Sequence, residues 1–440
     1  MEFIAENIAV ISLIALAIAI IITIWLDTNL GTLALGLSFL IAFVLGDWSP
    51  TDIIRGYPTN LFVLIAGVTY FFAIANVNGT MEKICKYAIK SVKGNVALLP
   101  IVLFFVAFVI ATIGPGQIST AALIAPPAMA LAIETKTPLL LMALVVGNGA
   151  NAGAMSPISP NGIVGNGVIA GLDWGEGILA GMSAPDWSIN LWINMLIVHV
   201  AMAILAYIFL GGLKLWKRAK ESPGELQALR NIEVEPFTRQ QKITLLTIVV
   251  FISLVIFFNW HLGLTGFFLG SILVIFKIGD EKAAIKSMPW GAILLVTGVT
   301  VLVNLMAEVG GMDLFAEIMA AQSNPTTVTL VAGFWSGLIS AYASTSGVIM
   351  PAFIPVAPML LDRIGASMND LLPLVSSIVV AGHLTDMSPL STTGAVFISG
   401  CPDTVDRKPL YRGMIIWGLS MAVIGALTVW VLFGLLRFNV

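Results

Sequence analysis

Charge is scarce in this chain. Asp, Glu, Lys and Arg make up 10% of its 440 residues, against about 25% in soluble domains. A surface so poor in charge was not made to face water. The net charge of −3 suggests neither nucleic acid nor a polybasic surface. Cysteine is almost absent: Cys85 and Cys401 are too few for a disulfide framework. Neither they nor the histidines have metal-ligand spacing. There is no Walker loop, dinucleotide fingerprint or nucleophile elbow, so an ATP-driven pump or a membrane enzyme has no support. The opening MEFIAENIAV holds two acids and no basic n-region, so its first apolar run is not expected to be a cleaved signal. The longest polar stretch, 214–242, is only a linker loop.

What is abundant is apolar: 58% of the residues are hydrophobic. Runs of about 20 apolar residues recur along the whole chain, each long enough to cross a bilayer core of about 30 Å. Candidate spans fall at 8–26, 30–46, 60–78, 97–134, 138–172, 187–213, 243–259, 264–277, 291–308, 326–361, 371–399 and 412–435. Segments 97–134 and 326–361 are about twice a crossing and broken in the middle by polar or glycine residues. They read as re-entrant hairpins, which are tolerated where backbone is buried in protein or lines a cavity. With both termini outside, only Arg55, Arg363 and Arg437 of the 21 basic residues fall outside, a strong positive-inside bias. Segment 80–93, TMEKICKYAIKSVK, spaces its lysines by three, four and three and predicts an amphipathic helix on the cytoplasmic surface.

The two halves resemble each other. LGD at 45–47 answers IGD at 278–280, and GVT at 67–69 answers GVT at 298–300. ISTAALIAPPA at 118–128 answers ASTSGVIMPAF at 343–353, and AMSPISPNG at 154–162 answers DMSPLSTTG at 386–394. Four matches in the same order predict an all-α polytopic membrane protein of two repeats, each of five crossings plus one hairpin. Five is odd, so the second repeat is inverted. Inverted repeats with broken helices at matching places point to an alternating-access transporter with a midplane site.

The informative residues lie in the four breaks: GPGQIST (114–120), GNGANAGAMSPISPNG (147–162), AYASTSG (341–347) and AGHLTDMSPLSTTG (381–394). Gly and Pro unwind helix there and free backbone groups. Half-helix N-termini suit a carboxylate, and carbonyl, hydroxyl and amide oxygens suit Na⁺. No Lys or Arg lies in any break, so an anion would be held by dipoles, by hydroxyls and amides such as Gln117, Asn161 and Ser346, and by cations nearby, not by an arginine fork. Asp386 is the one acid placed deep in the membrane. An ionised Asp there costs on the order of 2.5–3.5 kcal/mol, which marks it as functional by default. Its possible roles are Na⁺ or substrate ligand, proton carrier, or cap of the following half-helix. His383 reads equally as a substrate donor, a protonation switch or a backbone-bonded histidine. His199 and His261 read as ordinary span-end residues, and Asn76 and Asn304 as interhelical hydrogen-bonding residues.

At these residues a family becomes recognisable. The sequence resembles the ion transporter superfamily of the divalent anion–sodium symporters, and within it the bacterial malonate/dicarboxylate carrier family. The resemblance runs over essentially the whole length. Its most specific pieces are VTYFFAIANVNGTME (68–82), SPIS (156–159), SAYASTSGVIMPAFIPVAP (340–358) and TDMSPLSTTGAVFISGCPDTVDR (385–407). It implies a homodimer in the cytoplasmic (inner) membrane whose hairpins and broken helices move like an elevator against scaffold helices. On that pattern 1–96 and 243–325 are scaffold, and 97–172 and 326–399 form the transport domain. Segments 173–213 and 400–440 are the last helices of the repeats, joined through the cytoplasmic linker 214–242.

By the same resemblance Ser119, Thr120, Ser344 and Thr345 stand at hairpin tips where related symporters bind substrate carboxylates. Asn148, Asn151 and Ser156 join hairpin one, including Ser119, around one Na⁺ site. Asp386, Ser388 and Thr392 join hairpin two, including Ser344, around the second, with His383 and Thr392 also toward substrate. The divalent-anion symporters proper carry Ser-Asn-Thr at both tips, whereas these tips read Gln-Ile-Ser-Thr and Ala-Ser-Thr-Ser. The expected activity is therefore symport of a small dicarboxylate, malonate or a four-carbon diacid, with Na⁺ or H⁺ as coupling ion and no other cofactor. The alternative is a Na⁺/H⁺ antiporter or inorganic-anion exporter of the same architecture, which a buried cluster of several acids would favour.

Overall fold

The computed structural model describes residues 7–26, 28–45, 49–92, 95–170, 184–221, 234–402 and 405–438. Expectations for the termini, for Asp47 of the LGD motif, for Lys93 and for the middle of the 214–242 linker lie outside the described residues. All regular structure among the described residues is helical.

The first three helices are α1 (Ile8–Leu26), α2 (Leu30–Leu45) and α3 (Thr59–Val77). The surface helix α4 (Thr80–Ser91) follows, with Met81, Cys85 and Ile89 inward at a spacing of four and its lysines outward. The 97–134 run is two helices, α5 (Leu99–Ile113) and α6 (Gly116–Glu134), separated at Gly114–Pro115. The 138–172 run breaks into α7 (Leu139–Ala154) and α8 (Pro160–Ala170). Next come α9 (Ala184–Phe209) and the basic α10 (Gly212–Glu221). The later chain continues with α11 (Arg239–Phe258), α12 (Leu262–Ile275), α13 (Trp290–Glu308) and α14 (Gly311–Ala320). The 326–361 run divides into α15 (Val328–Ser340), an irregular helical stretch over 345–353, and α16 (Val356–Arg363). The last broken pair is α17 (Leu371–Thr385) and α18 (Thr392–Ser399), followed by α19 (Lys408–Val429).

Helix α14 was not legible as a separate element. It matches α4: left-handed Gly79 (φ 76°) precedes one and left-handed Gly310 (φ 78°) the other, and Met81 and Met312 are both buried just after. Only the first carries the lysines that made it visible. Short helices also stand between the candidate spans at Pro50–Arg55 and Glu281–Ser287.

Among the described residues six helices are long and apolar enough to cross a membrane, or seven if the bent pair Thr345–Phe353 and Val356–Arg363 counts as one, and five shorter apolar helices of 10–17 residues accompany them. Large apolar side chains such as Trp25, Phe43, Phe209 and Phe257 point outward, as expected of a surface solvated by lipid. The chain is a multi-pass membrane protein.

Small residues set the closest crossings. Helix α2 packs on α13, and α3 on α12. A β-carbon at Gly298 would overlap the backbone of Gly31, and one at Gly67 the backbone of Gly263. Both GVT motifs therefore place their glycine where two helix backbones meet, which is how packing is achieved without a hydrophobic drive between helices. On the other side, α7 lies between α5 and α9, and α17 between α15 and α19. Helix α6 packs on α18, and α8 on the 345–353 stretch. The four breaks are thereby brought to one level in the middle of the molecule.

Candidate functional site

The two broken helices turn in the same way. In the first, the Ser159 amide donates to the Ser156 carbonyl at 2.9 Å; in the second, the Ser391 amide donates to the Ser388 carbonyl at 3.0 Å. A β-carbon at Gly162 or at Gly394 would strike the carbonyl of Ser156 or Ser388 respectively. The repeated Ser-Pro-x-Ser-x-x-Gly pattern thus encodes a tight turn that only glycine can close.

Asp386 begins the second turn and is fully enclosed. Its Oδ2 accepts from Gln117 Nε2 (3.1 Å) and its Oδ1 from Ser340 Oγ (3.0 Å). Ser391 Oγ lies 2.9 Å from Oδ1 and 2.8 Å from the Ala343 carbonyl oxygen, so one hydroxyl proton serves two acceptors. Thr345 Oγ1 is 2.6 Å from Ser340 Oγ; since Ser340 gives its proton to Asp386, Thr345 donates to Ser340. The result is a relay of hydroxyls ending on a carboxylate, with donors from both hairpins and from its own turn. Donors on every side are the arrangement that an ionised carboxylate needs.

His383 lies one turn before Asp386. Its Nδ1 sits 2.8 Å from the Val379 carbonyl, so Nδ1 carries the proton, and Nε2 accepts from Asn161 Nδ2 (3.2 Å). Asn151 Nδ2 donates to the His383 carbonyl at 2.9 Å. The two turns are thus stitched by Asn151 and Asn161. His199 is corrected by the structure: it lies wholly buried in the middle of α9, with Nδ1 donating to Asn148 Oδ1 at 2.8 Å. His261, by contrast, caps the start of α12, as a span-end residue should. Asn304 donates to the Gly56 carbonyl at 2.9 Å, while Asn76 faces a cavity.

Several expected residues converge. Gln117, Ser119, Asn161 and Ser346 line one narrow crevice of about 30 Å³, walled by Ile65 of α3 and by Ala292 and Val296 of α13. That is room for about one water. Thr120 is buried beside it, and Ser344 accepts from the Gly347 amide at 3.2 Å, capping the irregular stretch. The expected first Na⁺ set is more dispersed. Asn148 turns to His199, and Ser156 Oγ donates to the Thr112 carbonyl at 2.7 Å. Neither shares a hydrogen bond with Ser119 or Asn151 among the described residues. Ser388 is buried and accepts from the Leu390 amide, whereas Thr392 is exposed on the outer side of α18. Sequence reasoning missed Ser391 and Ser340. Ser391 carried a signal, being the second serine of the repeated turn; Ser340, inside a plain helix end, carried none.

From Ser119 the crevice meets a larger cavity of about 560 Å³, the size of a small-molecule cleft. Ile118, Pro115 and Pro289 border both. The cavity runs past Thr69, Phe72 and Asn76 of α3 to the surface helix α4, where Lys86 and Glu82 line its mouth. Their ion pair is 2.6 Å long, with both side chains more than half exposed.

Buried polar oxygens are left over at the centre. Gln117 Oε1, Thr120 Oγ1 and Asn151 Oδ1 have no hydrogen-bond partner among the described residues. Buried orphans of this kind are rare and call for an explanation. Hard oxygen atoms without protein donors are what a small hard cation seeks.

Residues 6–154 match the family described as dicarboxylate carrier protein MatC N-terminus. No curated protein matches the chain. The match supports the malonate/dicarboxylate carrier family, in keeping with the resemblance read from the motifs.

Proposed function

We propose that this chain is a dicarboxylate carrier, a secondary active symporter taking up malonate or a similar small diacid with Na⁺ across the inner membrane. The observation that carries the reading is the meeting of three of the four breaks at Asp386: Gln117 from hairpin one, Ser340 and, through it, Thr345 from hairpin two, and Ser391 from its own turn. A carboxylate held this way ties both hairpins to one point. A Na⁺ ion taking up the orphaned oxygens of Gln117, Thr120 and Asn151 fits the chemistry of that donor set. Substrate carboxylates are assigned to the crevice bordered by Ser119, Asn161 and Ser346, which must widen to admit them.

An inverted repeat is supported by paired crossings. Helices α2 and α3 of the first half meet α13 and α12 of the second, so each GVT helix packs on the second helix of the other half. The turns at 154–162 and 386–394 and the glycine-led helices α4 and α14 add two further correspondences. On this reading α5–α8 and α15–α18 form the moving body and α1–α4 and α11–α14 the scaffold. The wide cavity at Lys86 is then the open vestibule of an inward-facing state, because charge asymmetry assigns α4 to the cytoplasm. Both termini outside and a homodimer joined through the scaffold complete the proposal.

The test is uptake of radiolabelled malonate into proteoliposomes under an inward Na⁺ gradient, an inward H⁺ gradient or neither, with succinate as competitor. Na⁺-stimulated uptake is expected. Folded protein with no uptake under any gradient would sink the diacid symport reading.

A further inference from the structure

Asn76 stands near the end of α3 and faces the large cavity beside α4. Among the described residues its amide has no hydrogen-bond partner. Asn78, two residues on, shows the contrast: its Nδ2 donates to Thr244 Oγ1 at 2.7 Å and its Oδ1 accepts from the Thr80 amide at 3.1 Å. A polar group left free on a spanning helix and turned to a cavity marks a pathway for cargo. The helix presents Thr69, Phe72 and Asn76 to that cavity at spacings of three and four, as a single stripe.

The other donors around the cavity divide into spent and unspent. Thr69 Oγ1 donates to the Ile65 carbonyl at 2.7 Å, and Ser287 Oγ to the Ala284 carbonyl at 2.9 Å. Ser119 makes no such bond among the described residues. Lys86 is the one cation among the lining residues, and its exposed pair with Glu82 yields readily to another carboxylate. From the mouth inward the wall therefore offers an ammonium, a free amide and a free hydroxyl. The second half has no equivalent set. Pairing left-handed Gly79 with left-handed Gly310 puts Ala307 at the place of Asn76 and Glu317 at that of Lys86. Alanine meets the needs of the fold at that place, so the amide of Asn76 answers to something else.

We propose that Asn76 and Lys86 form an antechamber subsite for a short diacid, with one carboxylate toward Lys86 and the other toward the Asn76 amide. The site is separate from the crevice at Asp386 and uses none of the oxygens assigned to Na⁺. Its preference for an anion follows from the donors; that the anion is a diacid rests on the function proposed above. Cargo passing the α4 mouth rests here while the crevice, at about 30 Å³, is too narrow to hold it.

Cys85 lines the same cavity and reports on its occupancy. The experiment measures maleimide labelling of Cys85 at pH 9 in the full-length Cys401→Ser protein, at constant ionic strength, against increasing malonate. Malonate is expected to slow labelling, and neutral malonamide is not. The half-protecting concentration should rise about fivefold in Asn76→Ala, the typical worth of one hydrogen bond to a charged group at a wet site. Asn76→Gln, which keeps the amide, should restore protection, and Asn76→Asp should abolish it by like-charge repulsion. Protection should persist without Na⁺ and in Asp386→Asn, because neither the ion nor the crevice takes part. No protection of the parent protein, an unchanged half-protecting concentration in Asn76→Ala, a requirement for Na⁺ or Asp386, or equal protection by malonamide would each overturn the proposal. Protein that is protected through Asn76 yet takes up no malonate would sink the symport reading and leave the subsite standing.

Discussion

The two broken helices share a backbone and differ in chemistry. At 154–162 and 386–394 the same Ser-Pro-x-Ser-x-x-Gly pattern makes the same amide-to-carbonyl turn, closed against the same glycine. Where the second turn begins with Asp386, the first begins with Ala154, which is buried with no polar side chain at all. Asn151 occupies the position that His383 holds in the other half, and it spends its amide on the His383 carbonyl. Only one turn of the two therefore gathers the hairpins. A duplicated scaffold supplies two equivalent openings in the helices, and single residues decide which of them receives a charge.

The largest test of that asymmetry is Asp386→Asn. It removes the charge and sets an NH₂ donor against Gln117 Nε2, while the remaining oxygen can still accept from Ser340 and Ser391; a charge-assisted bond is typically worth about 1.5–3 kcal/mol. Malonate uptake in proteoliposomes should fall by about a hundredfold or more, with the elution profile of folded protein retained. Retained uptake would mean that the second turn is no more functional than the first. Next in size is the shared backbone. Gly162→Ala and Gly394→Ala both drive a methyl group into a carbonyl oxygen, and overpacking of this kind costs about 1–3 kcal/mol. Comparable drops in melting temperature are expected from the two variants; tolerance of one alone would break the equivalence of the turns.

Asn151→Ala should be milder. It removes the hydrogen bond that Asn151 Nδ2 donates to the His383 carbonyl, about 1 kcal/mol, read as a small loss in thermal stability. At the mouth of the cavity, Lys86→Gln should raise KM for a dianion taken from the α4 side a fewfold while leaving kcat alone. The Lys86–Glu82 pair is exposed and worth only about 0.3–0.5 kcal/mol, so an incoming carboxylate readily exchanges for Glu82. The smallest signal concerns Cys85, which lines the same cavity. Burial pushes its thiol up to about 12. The unreactive neutral thiol therefore dominates at pH 7. Maleimide labelling in a Cys401→Ser background should be slow and rise about tenfold per pH unit up to pH 9, since the thiolate is the nucleophile. Fast labelling at pH 7 would place Cys85 outside the cavity wall.

Much of the helical order was legible because hydrocarbon imposes a length and a composition on whatever crosses it. The breaks at 114–115, 155–159, 341–344 and 386–391 were legible because glycine, proline and small hydroxyl residues interrupt apolar runs. Asp386 stood out for the same reason: a lone acid in an apolar segment has no bland explanation. Helix α14 escaped because its charges are few. Its presence follows from the left-handed Gly310 and from packing against α16 and α1, neither of which has a local sequence signature. Thr392 and Ser391 are neighbours in the chain, yet one side chain is exposed and the other touches Asp386. The direction taken by each residue of an irregular turn depends on its neighbours in space.

The sequence alone determined that this chain is solvated by lipid, that its helices break at four places, and which few residues there carry polar chemistry. Those properties follow from local composition and from the cost of polar groups in hydrocarbon. Only the tertiary structure decided that Gln117, Ser340 and Ser391 meet on one carboxylate, that His199 is buried against Asn148, and that Asn151 and Asn161 join the two turns. The contacts of Gln117 with Asp386 and of Asn151 and Asn161 with His383 join residues more than two hundred positions apart, and such contacts have no local periodicity. They exist because close helix crossings at small residues bring separate breaks to the same level.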